Sequence, residues 1–123
     1  MSTRYVNPET VPERVGWRYQ GTLKDEAGAV IPAATFTALT VTIYALDAAQ
    51  TIIQAPTSIL NVGRGVLDAF GVLTITFVPT DSAMVDAALA QERHVALIEG
   101  DYSGSRKFAR EIEFQVVNLA KRV

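Results

Sequence analysis

Between Arg93 and Val117 the sequence reads RHVALIEGDYSGSRKFAREIEFQVV, and its second half alternates strictly. Phe108, Arg110, Ile112, Phe114 and Val116 fall on one face; Lys107, Ala109, Glu111, Glu113 and Gln115 fall on the other. A period of two is what a strand with one buried and one wet face requires. Upstream, Val95, Ala96, Leu97 and Ile98 form an apolar run, and Gly100-Asp101-Tyr102-Ser103-Gly104 between the halves is turn chemistry. The stretch predicts a β-hairpin that forms the backbone of the core. A chain built around it must supply other strands to cover its apolar face.

Three more segments carry the same period. Val15–Lys24 puts Val15, Trp17, Tyr19, Gly21 and Leu23 on one face. Ala38–Leu46 points Leu39, Val41, Ile43 and Ala45 inward and Thr40, Thr42 and Tyr44 outward, where β-branched threonine suits a pleated surface. Val72–Val78 directs Leu73, Ile75 and Phe77 inward. Asp25–Gly28 and Asp68–Gly71 read as turns. Thr51–Gln54 reads as a short strand, and Pro56–Leu67 as a loop with one short strand near Ile59–Val62. Pro79 ends the third segment. Thr80-Asp81-Ser82 offers N-caps for a short helix over AMVDAALAQ, whose Met84, Val85 and Leu89 would cover one end of the core.

About seven strands with turn signals every 8–12 residues are the pattern of an all-β antiparallel sandwich. The one alternative is a small closed barrel. Parallel βαβ units find no support, because no long amphipathic helix separates the strands. The expected organisation is an extended N-terminal arm over residues 1–14, a β-sandwich domain over 15–119 and a C-terminal tail over 120–123. The arm is polar and carries Pro8 and Pro12. It reads either as a frayed terminus or as a segment that orders against a neighbouring subunit.

The 123 residues, 49% hydrophobic and 20% charged, suffice for one domain with a real core. Net charge is −2 with basic residues spread along the chain, so no nucleic-acid footprint is expected. There is no cysteine, which excludes disulfides and thiol chemistry. No apolar run reaches the roughly 18 residues of a membrane span, and the first residues lack the apolar core of a secretory signal. The chain is therefore expected to be made and retained in a cytoplasm unless it leaves as part of an assembly.

Chemistry-bearing residues are sparse. His94 is the only histidine, so a zinc site of three or four ligands cannot be built around it, and it reads as a packed or surface residue. Glu111 and Glu113 share a strand face, which suits a solvated surface better than an acid–base pair. Asp81 with Asp86, or Asp25 with Glu26, lack the spacing of a calcium loop and read as turn and cap residues. Ser82, Ser103 and Ser105 have no nucleophile elbow. Gly63-Arg64-Gly65 reads as a flexible basic tip. Arg110 sits between Phe108 and Ile112 on the apolar face, so its charge must be paired or reach the rim. Trp17 reads as core. No catalytic residue, cofactor or metal is expected.

Three stretches together, WRYQGTLKDEAGAVIP (Trp17–Pro32), DAFGVLTITFVPTDSAMVD (Asp68–Asp86) and HVALIEGDYSG…REIEFQVVNL (His94–Leu119), carry a shared cadence of turn glycine, alternating strand, Pro, Thr-Asp and closing hairpin. This resembles the small immunoglobulin-like β-sandwich proteins of tailed-bacteriophage virions. The resemblance covers roughly Trp17 to Leu119 and rests on strand and turn patterns. It implies a non-catalytic structural subunit, placed at the head–tail junction (neck), on the capsid surface or at the baseplate. The alternative is a carbohydrate- or receptor-binding module of a tail. On the structural reading the partners are copies of the chain and other virion structural proteins, with no nucleic acid, membrane or small-molecule substrate. Contact through edge strands, loops and arm then points to Arg4, Tyr5, Arg64, Asp101, Tyr102, Arg110 and Arg122.

Overall fold

The computed structural model describes residues 2–12, 14–25, 27–46, 50–86, 88–104 and 106–118, with the side chains of 2–4, 8 and 9 left aside. The expected tail at 120–123, with Arg122, lies outside the described residues, as do Glu26 and Ser105. Among the described residues eight strands form: β1 (Ser2–Pro12), β2 (Trp17–Thr22), β3 (Phe36–Ala45), β4 (Ile52–Ser58), β5 (Gly65–Leu67), β6 (Val72–Phe77), β7 (Gln91–Tyr102) and β8 (Arg106–Val117). They make a five-stranded sheet of order β1-β8-β7-β3-β4 and a three-stranded sheet of order β2-β6-β5. The fold is an all-β sandwich, and because both sheets keep free edges among the described residues it is not a closed barrel. The order β8-β7-β3-β4 opposite β2-β6-β5 is that of an immunoglobulin-type sandwich, with the first strand laid along the last.

The alternation sets the core. Leu39, Val41, Ile43 and Ala45 of β3, Ala96 and Ile98 of β7, and Ile112, Phe114 and Val116 of β8 all have 0% exposure. Leu73, Ile75 and Phe77 of β6 meet them from the opposite sheet, together with Tyr19 and Leu23. Each buried Val, Leu, Ile or Phe among them contributes on the order of 1.5–3 kcal/mol by leaving water. The exposed Lys107–Asp101 pair at 2.6 Å contributes at most about 1 kcal/mol. Burial therefore decides the fold, and the wet-face charges follow it.

The predicted turns form through their aspartates. Asp25 Oδ1 accepts the N–H groups of Ala27 and Ala29, and Asp68 Oδ1 accepts those of Phe70 and Val72. The hairpin tip is tighter than expected: Gly100 and Asp101 lie inside β7, and Ser103 and Gly104 carry the positive φ angles of 48° and 84°.

Four expectations need correction. The antiparallel pattern is not complete, because β1 pairs with β8 in parallel. The polar first segment is extended as expected, but it lies against the chain's own β8. The short strand placed near Ile59–Val62 lies instead at β5, after a turn in which Asn61 has φ 55°. The short helix is a 3-10 turn at Pro79–Ser82, and residues 83–90 form no helix where described. The cause is competition for the helix's donors: the Glu92 carboxylate accepts the N–H groups of Val85 and Asp86 at 2.9 and 2.8 Å. A segment this short has too few internal bonds to resist such capture.

Candidate contact site at the β1–β2 edge

In each sheet the outermost strands have one bonded neighbour: β1 and β4 in the larger, β2 and β5 in the smaller. Unpaired strand edges offer rows of N–H and C=O groups to a partner chain. β1 and β2 lie on the same side of the sandwich, because the Tyr5 and Tyr19 rings meet edge to face at 5.3 Å. Between them runs a crevice of about 270 Å³, lined by Tyr5, Thr10, Val11, Val15, Trp17 and Gln20 among others.

The floor of this edge is closely packed. Trp17 stacks on Phe77 at 4.5 Å and meets Phe114 edge-on at 5.2 Å. Its indole N–H is buried with no hydrogen-bond partner among the described residues, a condition that costs about 1–3 kcal/mol. Arg110 of β8 spans to the opposite sheet, where Nη1 donates to the Tyr19 hydroxyl at 2.9 Å and Nη2 to the Thr22 carbonyl at 3.3 Å. Its guanidinium also lies 5.6 Å from the Phe108 ring centroid. The charge on the apolar face is thus met by polar groups and an aromatic ring, as burial demands. Gly21 makes this possible, since a Cβ there would collide with the Tyr19 hydroxyl.

The roof is lighter. Among the described side chains of β1, only Val11 is buried, while Tyr5 and Val6 are 41% and 55% exposed. The ladder with β8 runs from Ser2↔Ala109 to Val6↔Glu113 and resumes at Thr10↔Gln115. Three residues of β1 thus face a single residue of β8 at the break, and Pro8, which has no N–H to give, is one of them.

A second polar cluster lies at the end of the sandwich where β1 gives way to β2, next to the Arg14 N–H that bonds the Ser82 carbonyl. Arg64 pairs with Asp81 at 2.5 Å, and Asp81 Oδ2 also accepts the Val78 N–H at 2.8 Å. His94 has 0% exposure; its Nδ1 donates to the Asp81 carbonyl at 2.8 Å, and Nε2 lies 2.6 Å from Glu92 Oε1. Burial pushes the Glu92 carboxyl up. The His94 hydrogen bond, the Val85 and Asp86 N–H groups and the His94 charge outweigh it and hold the group below the usual carboxylate value. With every polar atom of the pair engaged, its visible work is to pin the Pro79–Ser82 turn and the following residues onto β7.

The residues expected at contacts are dispersed. Tyr5 and the backbone of Arg4 belong to the β1 edge, and Arg110 lies beneath it. Arg64 is engaged by Asp81 and 14% exposed. Asp101 holds Lys107. Tyr102 is 4% exposed against Phe36, with the Arg106 guanidinium over its ring. Glu111 and Glu113 are half-buried on the outer face of β8, where Glu111 accepts from the Tyr44 hydroxyl at 3.4 Å and Glu113 lies 3.8 Å from Arg93.

Sequence reasoning passed over the Glu92–His94 pair. Its signal was available: the two stand two residues apart, in phase with Ala96 and Ile98 on the inward face. Among the described residues, no three His, Cys, Asp or Glu side chains gather as a metal site, and no helix is long and apolar enough to cross a membrane. No protein-family model matches the chain, and no curated protein matches it.

Proposed function

We propose that the chain is a non-catalytic structural subunit that assembles through sheet edges, loops and its first strand, and that its setting is a bacteriophage virion, at the head–tail junction or on the capsid surface. The observation that carries the assembly reading is the open β1–β2 side, where two edge strands flank one crevice above a packed aromatic floor. The virion setting rests on the sequence cadence of the three stretches. A carbohydrate-binding role is less favoured. It needs clustered exposed aromatics, and of Tyr5, Tyr44 and Tyr102 only Tyr5 exposes more than a third of its surface.

The test is native mass across a range of protein concentrations, alone and with candidate neck or capsid proteins. Discrete oligomers or a stoichiometric complex are expected. A monomer throughout, with no complex formed, overturns the proposal.

A further inference from the structure

We infer that β1 is an exchangeable strand, and that the partner it docks on is β8 of a second copy of this chain. The inference rests on the assembly reading and names its contact. Four observations carry it. First, the seven-stranded remainder is already a closed sandwich: β2–β6–β5 covers β8–β7–β3–β4, and the fully buried side chains belong to those seven strands and their loops. Second, β1 adds little burial of its own, Val11 excepted, and its ladder is interrupted between Val6 and Thr10. Third, the connection to β2 folds back tightly at its last residues. Arg14 is held at φ 59°, with its N–H on the Ser82 carbonyl at 3.1 Å, while the Val15 N–H closes on the Pro12 carbonyl at 3.2 Å. A left-handed conformation costs a side-chain-bearing residue about 1–2 kcal/mol, and opening the turn releases it. Fourth, exchange changes the course of this one connection only, because β1 precedes the rest of the sandwich.

In the exchanged form each β1 makes in trans the contacts that it makes in cis, including the Tyr5–Tyr19 and Val11 packing. The interface therefore needs no new surface, which is why identical elements swap at low cost. The geometry also selects the partner. The alternation that fits the β8 edge, with Tyr5 opposite Ile112 and Val11 opposite Val116, is carried by the chain's own first strand.

The chain has no cysteine, so thiol pairing reports the exchange directly. Val6→Cys is made in one preparation and Glu113→Cys in another, since these positions are partners in the β1–β8 register. The two are mixed at high concentration, oxidised and compared with a mixture of Val6→Cys and Glu99→Cys. Thiols held side by side in a ladder meet at effective concentrations far above those in free solution, so about tenfold more mixed disulfide is expected in the first mixture. A second variant, Arg14→Pro, cannot take a positive φ and forces the turn open. It is expected to shift the native mass from monomer toward dimer. Equal mixed-disulfide yields in the two mixtures, or a folded Arg14→Pro protein that stays monomeric, overturn the exchange. If oligomers form while the mixed disulfide stays at the control level, the assembly reading stands and the exchange fails. If the protein is monomeric and without complexes throughout, both fail.

Discussion

β8 is bonded on both sides, and its two neighbours are unlike. On one side β7 pairs with it antiparallel, without a break from Gln91↔Val117 to Tyr102↔Arg106. Its inward residues, His94, Ala96 and Ile98, are wholly buried. On the other side β1 runs parallel, breaks register around Pro8, and buries Val11 alone among its described side chains. Parallel pairing is slightly weaker per residue, but the larger difference is burial. The same strand thus shows that a hydrogen-bonded ladder does not by itself make a stable element. Stability follows the apolar surface that the ladder carries into the core.

Removing core from the hairpin is expected to have the largest effect. Phe114→Ala takes away a side chain packed on Trp17, Phe77 and His94, and is expected to cost about 3–5 kcal/mol in chemical denaturation. A loss below about 1 kcal/mol would show that the hairpin is not the centre of the core.

Next comes the polar anchor of β7. Glu92→Ala leaves two N–H groups and His94 without their acceptor, at an expected cost of about 3 kcal/mol near neutral pH. The Glu92 carboxyl is held below its ordinary value of 4.5. A depressed carboxyl stabilises the fold above its unfolded-state value, and the contribution is lost as pH falls through the lower folded-state value. The gap between the protein and Glu92→Ala should therefore be widest above that value and narrow in acid. A gap that widens in acid would contradict the assignment.

Gly65 probes the opposite sheet. A Cβ there would strike the Ile59 carbonyl oxygen and Cβ, which are backbone and core and cannot swing aside. Gly65→Ala is expected to cost about 1–3 kcal/mol, read by thermal or urea unfolding.

Hydrogen exchange separates the two neighbours of β8 directly. Amides of β1 should exchange through a local opening, while those of β7 and β8 that bond to each other exchange only with global unfolding. Equal protection in β1 and β7 would mean that β1 is part of the core. The smallest expected effect is at the turn, where Arg14→Gly removes the positive-φ strain and should stabilise the closed form by up to about 1 kcal/mol. A measured destabilisation would remove the strain argument.

Much of the fold was legible in the sequence. The inward residues of β3, β6 and β8 follow from alternation, β7 shows only as an apolar run, and the two aspartate turns follow from their side chains' reach to nearby N–H groups. What misled was local chemistry overruled at a distance. Thr80-Asp81-Ser82 looks like a helix start, yet Asp81 is taken by Arg64, 17 residues away, and the next free N–H groups are taken by Glu92. The candidate site was less legible. Tyr5 and the first segment were picked out, but Tyr102 and Arg64, chosen from turn positions, prove buried or engaged.

The sequence by itself determined that this chain is all-β and which side chains of β3, β6 and β8 form its core, because a period of two and the cost of wetting apolar groups act residue by residue; Val15, Val85 and Leu89, read as core or its cover, are exposed. It also required Arg110 to find polar company. The tertiary structure alone decided who that company is, that a polar first segment becomes the parallel edge of the larger sheet, and that β1 and β2 face each other across a crevice. Those outcomes depend on pairings between residues up to 107 positions apart, such as Ser2 with Ala109, and no local pattern encodes a partner at that range.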